Sequence, residues 1–146
     1  MIEINIPGKP VPMARPRVVK RGRYVHTYNP PKMMNWEHYA HHCGIKAMRE
    51  NHWKMIKDNP IDVEVWIHRP IPKSWPKKKK FYAKRYLIAP TTKPDIDNYV
   101  KSAIDSQIGV AYYDDNLITS LSADEFYSSK PHLMMRIRRI DVIPAN

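Results

Sequence analysis

The sequence predicts a single compact α/β domain, on three observations. Apolar residues alternate at period two through Ile2, Ile4 and Ile6, and again through Ile61, Val63, Val65 and Ile67, the mark of strands with one buried face. They recur at helical spacing through Met33, Trp36, Tyr39, Ala40, Cys43, Ala47 and Met48, and again through Ile96, Tyr99, Val100, Ala103, Ile104 and Ile108. At 146 residues, 42% of them hydrophobic and 27% charged, the chain is long enough for one real core and has an ordinary globular balance. No internal repeat or second domain is visible.

The elements follow in order. The first strand ends at Pro7-Gly8. A basic arm from Lys9 to Arg23 follows, in which Val18-Val19 and Tyr24-Val25 flank Lys20-Arg21-Gly22-Arg23, a hairpin with Gly22 in its turn. Asn29 caps a long helix with Pro30 at its first position, running to about Asn51. The strand of Ile61 to Ile67 comes next. Ser74 then caps a short basic helix reaching about Tyr86, with Pro76 in its first turn, and the prolines at 90 and 94 keep residues 89–94 extended. A helix begins near Asp97 and ends at Gly109, with Asp97 at the edge of its apolar stripe and Asp105 turned further toward solvent. Leu117 to Leu121 is a strand whose expected partner is Leu133 to Val142, across the turn Ser128-Ser129-Lys130-Pro131.

Charge narrows the function. The formal net charge is +11 and the sequence pI about 9.8, the footprint of a nucleic-acid binder, with an anionic membrane surface as the weaker alternative. Yet Asp95, Asp97, Asp105, Asp114 and Asp115, five of the fourteen acidic residues, fall within one short stretch. Carboxylates brought together on a basic body need a reason to tolerate their repulsion, and a divalent metal supplies one, since hard cations take oxygen ligands and bridge carboxylate to phosphate. Read singly, each acidic pair is a cap or a turn. The two pairs border one helix, so a chain that bends back brings them together, and Lys101, one turn after Asp97, is placed to stabilise charge on a transferring phosphate. Arg15, Arg17, Lys20, Arg21 and Arg23 in the arm, with Lys73, Lys77, Lys78, Lys79, Lys80 and Lys93, are the candidate DNA contacts; a solvated face is the alternative for the lysine run. His38, His41 and His42 lack the carboxylate or cysteine pair that a zinc site needs. Cys43 is a lone cysteine, which points to a reducing cytoplasm, and the N-terminus reads as a strand rather than a signal peptide.

At these residues the sequence resembles the RusA family of Holliday-junction resolvases, especially its phage-type members. The likeness runs through Gly8-Lys9-Pro10-Val11-Pro12, Ala14-Arg15-Pro16-Arg17, Ile71-Pro72-Lys73-Ser74-Trp75 with the lysine run, and Thr92-Lys93-Pro94-Asp95-Ile96-Asp97-Asn98 with Lys101, Asp105 and Asp114-Asp115. The resemblance implies a homodimer with a mixed sheet flanked by helices. It implies Asp95, Asp97 and Asp115 as magnesium ligands, Asp114 and Asp105 as supporting acids and Lys101 as an essential basic residue, with Mn²⁺ as a substitute metal. The implied activity is paired nicking of opposed strands at a four-way junction, in DNA recombination and repair, in a bacterial or phage-infected cell. The sequence departs from that pattern at Glu125, where many relatives carry lysine. Rival readings are a non-catalytic nucleic-acid-binding module and a basic adaptor for an acidic partner.

Overall fold

The period-two segments become strands and the helical ones helices in the computed structural model, which describes residues 1–14, 17–28 and 30–145. Chain order is β1 (Ile2–Pro7), β2 (Arg17–Arg21), β3 (Tyr24–Tyr28), α1 (Pro31–Glu50), β4 (Ile61–Pro70), α2 (Lys77–Lys84), α3 (Ile96–Gln107), a 3-10 turn (Asp115–Leu117), β5 (Ile118–Ser128) and β6 (His132–Arg139). Four strands form one mixed sheet in the order β1-β6-β4-β5, and β2 and β3 form a separate hairpin. Ile2, Ile4, Ile6, Val63, Val65, Ile67, Leu133, Met135 and Ile137 share one buried cluster with Trp36 and Ala40 of α1 and Tyr99 and Ala103 of α3, so both helices cover one sheet face. Each such aliphatic side chain contributes roughly 1.5–3 kcal/mol by burial. The other face carries charge pairs, Glu3–Arg136–Glu64 and Asp62–Arg138. Among the described residues no helix is long and apolar enough to cross a membrane.

The pairing of β5 with β6 is overturned. β5 pairs parallel with β4 at the sheet edge, and β6 lies between β1 and β4, antiparallel to both. Burial decides this. Leu133, Met135 and Ile137 need cover on both flanks, whereas β5, rich in serine and acid, is largely exposed and suits an edge. Residues 129–131 cross over the end of β4 at Pro70 instead of turning a hairpin. β5 also extends seven residues beyond Leu121, carrying Glu125 onto the helix-covered face, in register with Ile67.

Other boundaries shift for local reasons. Pro30, not the first helical residue, is the N-cap of α1, and Asn29 lies outside the described residues. Pro76, not Ser74, is the N-cap of α2, because the 72–75 segment closes its own turn with Trp75 N–H donating to the Pro72 carbonyl. Residues 89–94 bend rather than extend: Thr91 N–H reaches back to the Ala89 carbonyl and the Lys93–Pro94 peptide is cis. The buried stripe of α3 is rotated from expectation. Tyr99, Ser102, Ala103, Ser106 and Gln107 are buried, while Ile96 is exposed. A close crossing with α1 explains it: Gln107 donates to the Ala40 carbonyl, and a Cβ at Gly44 would collide with its carboxamide.

Candidate active site

Arg69 organises the acidic region. It is the last core-facing residue of β4, where the alternation of Ile61, Val63, Val65 and Ile67 leads one to expect another aliphatic side chain. The guanidinium is buried, so its donors need partners. Nη1 donates to the Thr92 carbonyl and Nη2 to the Lys93 carbonyl, both at 3.0 Å. Its carbon lies 5.5 Å from the centroid of the Tyr99 ring in α3. Glu125 approaches from β5 at 3.6 Å, too far for a hydrogen bond, and its Oε2 is buried without one. One side chain therefore ties the end of β4, the 92–95 loop, α3 and β5. Sequence reading passed over Arg69; a cation at an apolar register position was the available signal. Burial pushes the Glu125 carboxyl above its ordinary range against the pull of Arg69, and the nearby Asp95 carboxylate adds to the rise.

Asp95 stands at the N-cap of α3, but its carboxylate accepts no capping hydrogen bond. Instead Oδ2 meets Lys93 Nζ at 2.9 Å. Asp97 is exposed in the first turn. One turn on, Lys101 pairs with Asp105 at 3.2 Å, and the Asp105 side chain, only 23% exposed, is turned inward rather than to solvent. Its neighbour there is Tyr112, whose hydroxyl donates to the Ile104 carbonyl at 2.7 Å. Burial, and then the charges of Asp105 and Asp115, drive the Tyr112 phenol far above its usual range. The charges of Asp105 and Asp115 thus both act on Tyr112, and that of Asp95 acts on Glu125. Asp114 behaves as a cap, with Oδ1 accepting the Asp115 N–H at 2.8 Å.

Among the described residues no three His, Cys, Asp or Glu side chains gather closely enough to enclose a metal ion. The histidines of α1 at 38 and 42 are exposed. The donor chemistry beside Asp95 and Asp97 still suits a hard cation: oxygen ligands, exposed, with an ammonium already seated against one of them. Mg²⁺ is ordinarily held by one or two carboxylates and completed by substrate phosphate and water, which needs no closed cage.

The family model of endodeoxyribonuclease RusA matches residues 7–138, from the end of β1 through β6. The chain belongs to the RusA endodeoxyribonuclease family. It is also similar to the uncharacterized protein YqaN of Bacillus subtilis (strain 168), 36% identical over 141 residues that cover 95% of this chain and 96% of that protein.

Around this RusA-family site the basic residues fall into two groups. The lysines of α2 are anchored by aromatics, with Lys79 Nζ 3.9 Å from the Trp75 ring centroid and Lys78 over Tyr82. Ala83 is the buried residue of that helix, so its cationic face is open. Lys20 and Arg21 lie in β2 and Arg23 in the turn of a hairpin whose β3 residues are all exposed. Arg17 opens β2, and Arg15 lies outside the described residues. Lys73 and Lys93 are exposed beside the acidic loop.

Proposed function

We propose that this chain is a divalent-metal-dependent endonuclease that nicks opposed strands of four-way and related branched DNA as a homodimer. The observation that carries the reading is Asp95: a helix-start carboxylate that does not cap, borne on a loop clamped by buried Arg69, with Asp97 two residues along and lysines on either side. Asp95, Asp97 and Asp115 would hold Mg²⁺ or Mn²⁺, with Asp114 in support. When bound, the ion acidifies a water and neutralises the non-bridging oxygens of the scissile phosphate. Lys101 and Lys93, tied to carboxylates in the free protein, turn to the phosphate as it arrives and stabilise the charge that builds there. Asp105 receives Lys101 in the resting state and fixes its direction. The α2 lysines and the β2–β3 arm hold flanking phosphates, and a two-fold dimer meets the two related strands of a junction by symmetry. An enzyme with this substrate would work in the cytoplasm of a bacterial or phage-infected cell.

The test is nicking of junction, flap and linear duplex with Mg²⁺, Mn²⁺, Ca²⁺ or EDTA. Mg²⁺ and Mn²⁺ should support cleavage, and Ca²⁺ binding with little turnover. Full activity in EDTA sinks the metal mechanism. Junction affinity should fall linearly with salt on log axes, and Lys77→Ala/Lys78→Ala/Lys80→Ala should flatten the slope by roughly 0.9 per lost contact. Binding without nicking in any metal would leave a nucleic-acid-binding module. Mass measurement in solution tests the dimer.

A further inference from the structure

A cleft of about 660 Å³ opens beside the acidic loop, between residues 9–12, the end of β4 with residues 70–73, and residues 92–94. Its volume is in the range of about 300–1,000 Å³ that takes nucleotide-sized ligands. Two features separate it from an ordinary surface groove. Lys9, Lys32, Lys73 and Lys93 line it, and no carboxylate does among the described residues, although Asp95 follows directly on the wall residue Pro94. The walls are otherwise largely proline, with Pro10, Pro12, Pro70, Pro72 and Pro94. These rings are rigid and lack N–H groups, so the cleft is preformed and presents flat apolar surface beneath a cationic mouth. Tyr99 and Tyr127 complete it. Trp75 stacks edge-on against Tyr127 and carries Lys79 on its other contacts, which joins the cleft to the ridge of α2.

Apolar walls, a cationic rim and a carboxylate set at one end describe a seat for one nucleotide, not for a duplex, whose paired and stacked bases cannot enter so narrow a space. We propose that this cleft receives a single unstacked nucleotide of the strand to be cut. Lys9, Lys32 and Lys73 hold its phosphate, and the adjoining phosphodiester is thereby delivered past Pro94 to Asp95 and Asp97. Branch points favour such nucleotides, because continuous stacking is interrupted there and less of the unstacking cost of extrusion remains. The inference rests on the nuclease reading for the word delivered, and on the cleft alone for binding.

The experiment uses the whole chain and two probes: a 5′-fluorescein hexathymidylate followed by anisotropy in EDTA, and a nicked-product assay on a four-way junction in Mg²⁺. Lys9→Ala/Lys32→Ala changes two exposed side chains and should weaken hexathymidylate binding about tenfold, with a salt slope lower by about 1.4, or 0.7 per single-strand contact. Thr92→Trp fills the cleft while leaving its own carbonyl for Arg69, and should abolish that binding and slow nicking at least as much. Lys46→Ala/Lys54→Ala, two exposed lysines outside both the cleft and the proposed DNA contacts, should leave the hexathymidylate affinity unchanged. Unchanged hexathymidylate binding in both cleft variants overturns the proposal. Loss of that binding in a protein that nicks no junction supports the cleft and sinks the nuclease reading. Nicking by Thr92→Trp at the wild-type rate overturns delivery of the cut strand and leaves the nuclease reading intact.

Discussion

The two acidic pairs that border α3 are held in opposite ways. Asp95 has its backbone fixed from outside, through the carbonyls of Thr92 and Lys93 on Arg69, while its carboxylate stays free of the helix. Asp114 has its carboxylate committed to the next residue's N–H, and Asp115 follows in a 3-10 turn beside Tyr112. Identical residue types therefore carry different burdens: one end is a carboxylate presented by tertiary structure, the other partly a local turn. Presentation of this kind costs a buried ion pair, whose desolvation can exceed the attraction between its charges.

The largest break in that comparison is removal of charge without change of size. Asp95→Asn, Asp97→Asn and Asp115→Asn should each abolish or severely reduce nicking while junction binding persists, measured by nicked product and by gel shift on the same folded protein. Wild-type nicking by folded Asp97→Asn would refute the proposed site. Next comes Arg69. Arg69→Met leaves Glu125 buried without its cation and should cost about 3 kcal/mol in urea unfolding. Arg69→Met/Glu125→Leu should recover most of that stability yet remain slow at nicking, since neither replacement holds the Thr92 and Lys93 carbonyls; recovery of both would reduce Arg69 to packing. Arg69→Lys, which keeps charge but not the fork, should fold and nick poorly. Asp114→Asn should have a smaller effect, a stability change of about 1 kcal/mol or less because asparagine also caps, with partial nicking retained.

The smallest effects are linkage effects of opposite sign. Hydrogen bonding from Arg138, and then from Ser120, holds the Asp62 carboxyl below its ordinary range. Its contribution is present above the unfolded carboxylate pKa of about 4 and is lost as pH falls through the lower folded value. Asp62→Asn should thus be less stable than wild type at pH 7, by about 1 kcal/mol or less since Arg138 is more than half exposed, and equal to it in strong acid. Its nicking should be unaffected. The Glu125 carboxyl is raised, so its contribution is complete below about pH 4 and declines as pH rises through the higher folded value. Glu125→Gln should therefore gain relative to wild type between pH 4 and pH 7. Paired thermal melts from strong acid to pH 7 check both, and parallel curves for the two variants would contradict the assignment.

Much of this was legible in the residues. Alternation at β1 and β4, helical spacing at α1 and α3, the turn at Gly22 and the crowding of aspartates in a basic chain are all local patterns, and local patterns report on which face is buried and which charges stand close in sequence. The family match spans residues 7–138, a range that includes the KPDIDN segment and the later aspartate pair. What local pattern does not encode is neighbourhood. β6 reads equally well as a partner of β5 or as a central strand, and only the demand to cover Leu133, Met135 and Ile137 on both sides placed it between β1 and β4. The stripe of α3 turned because a glycine on α1, far away in sequence, let Gln107 come close. Arg69 and Glu125 lie on different strands, and their meeting with the loop of Asp95 follows from the parallel register of β4 and β5. The sequence by itself determined the element types, the charge and the candidate carboxylates, because these depend on side-chain identity and short-range spacing. Tertiary structure alone decided that Asp95 is presented, because a buried guanidinium takes whichever carbonyls the fold brings within reach.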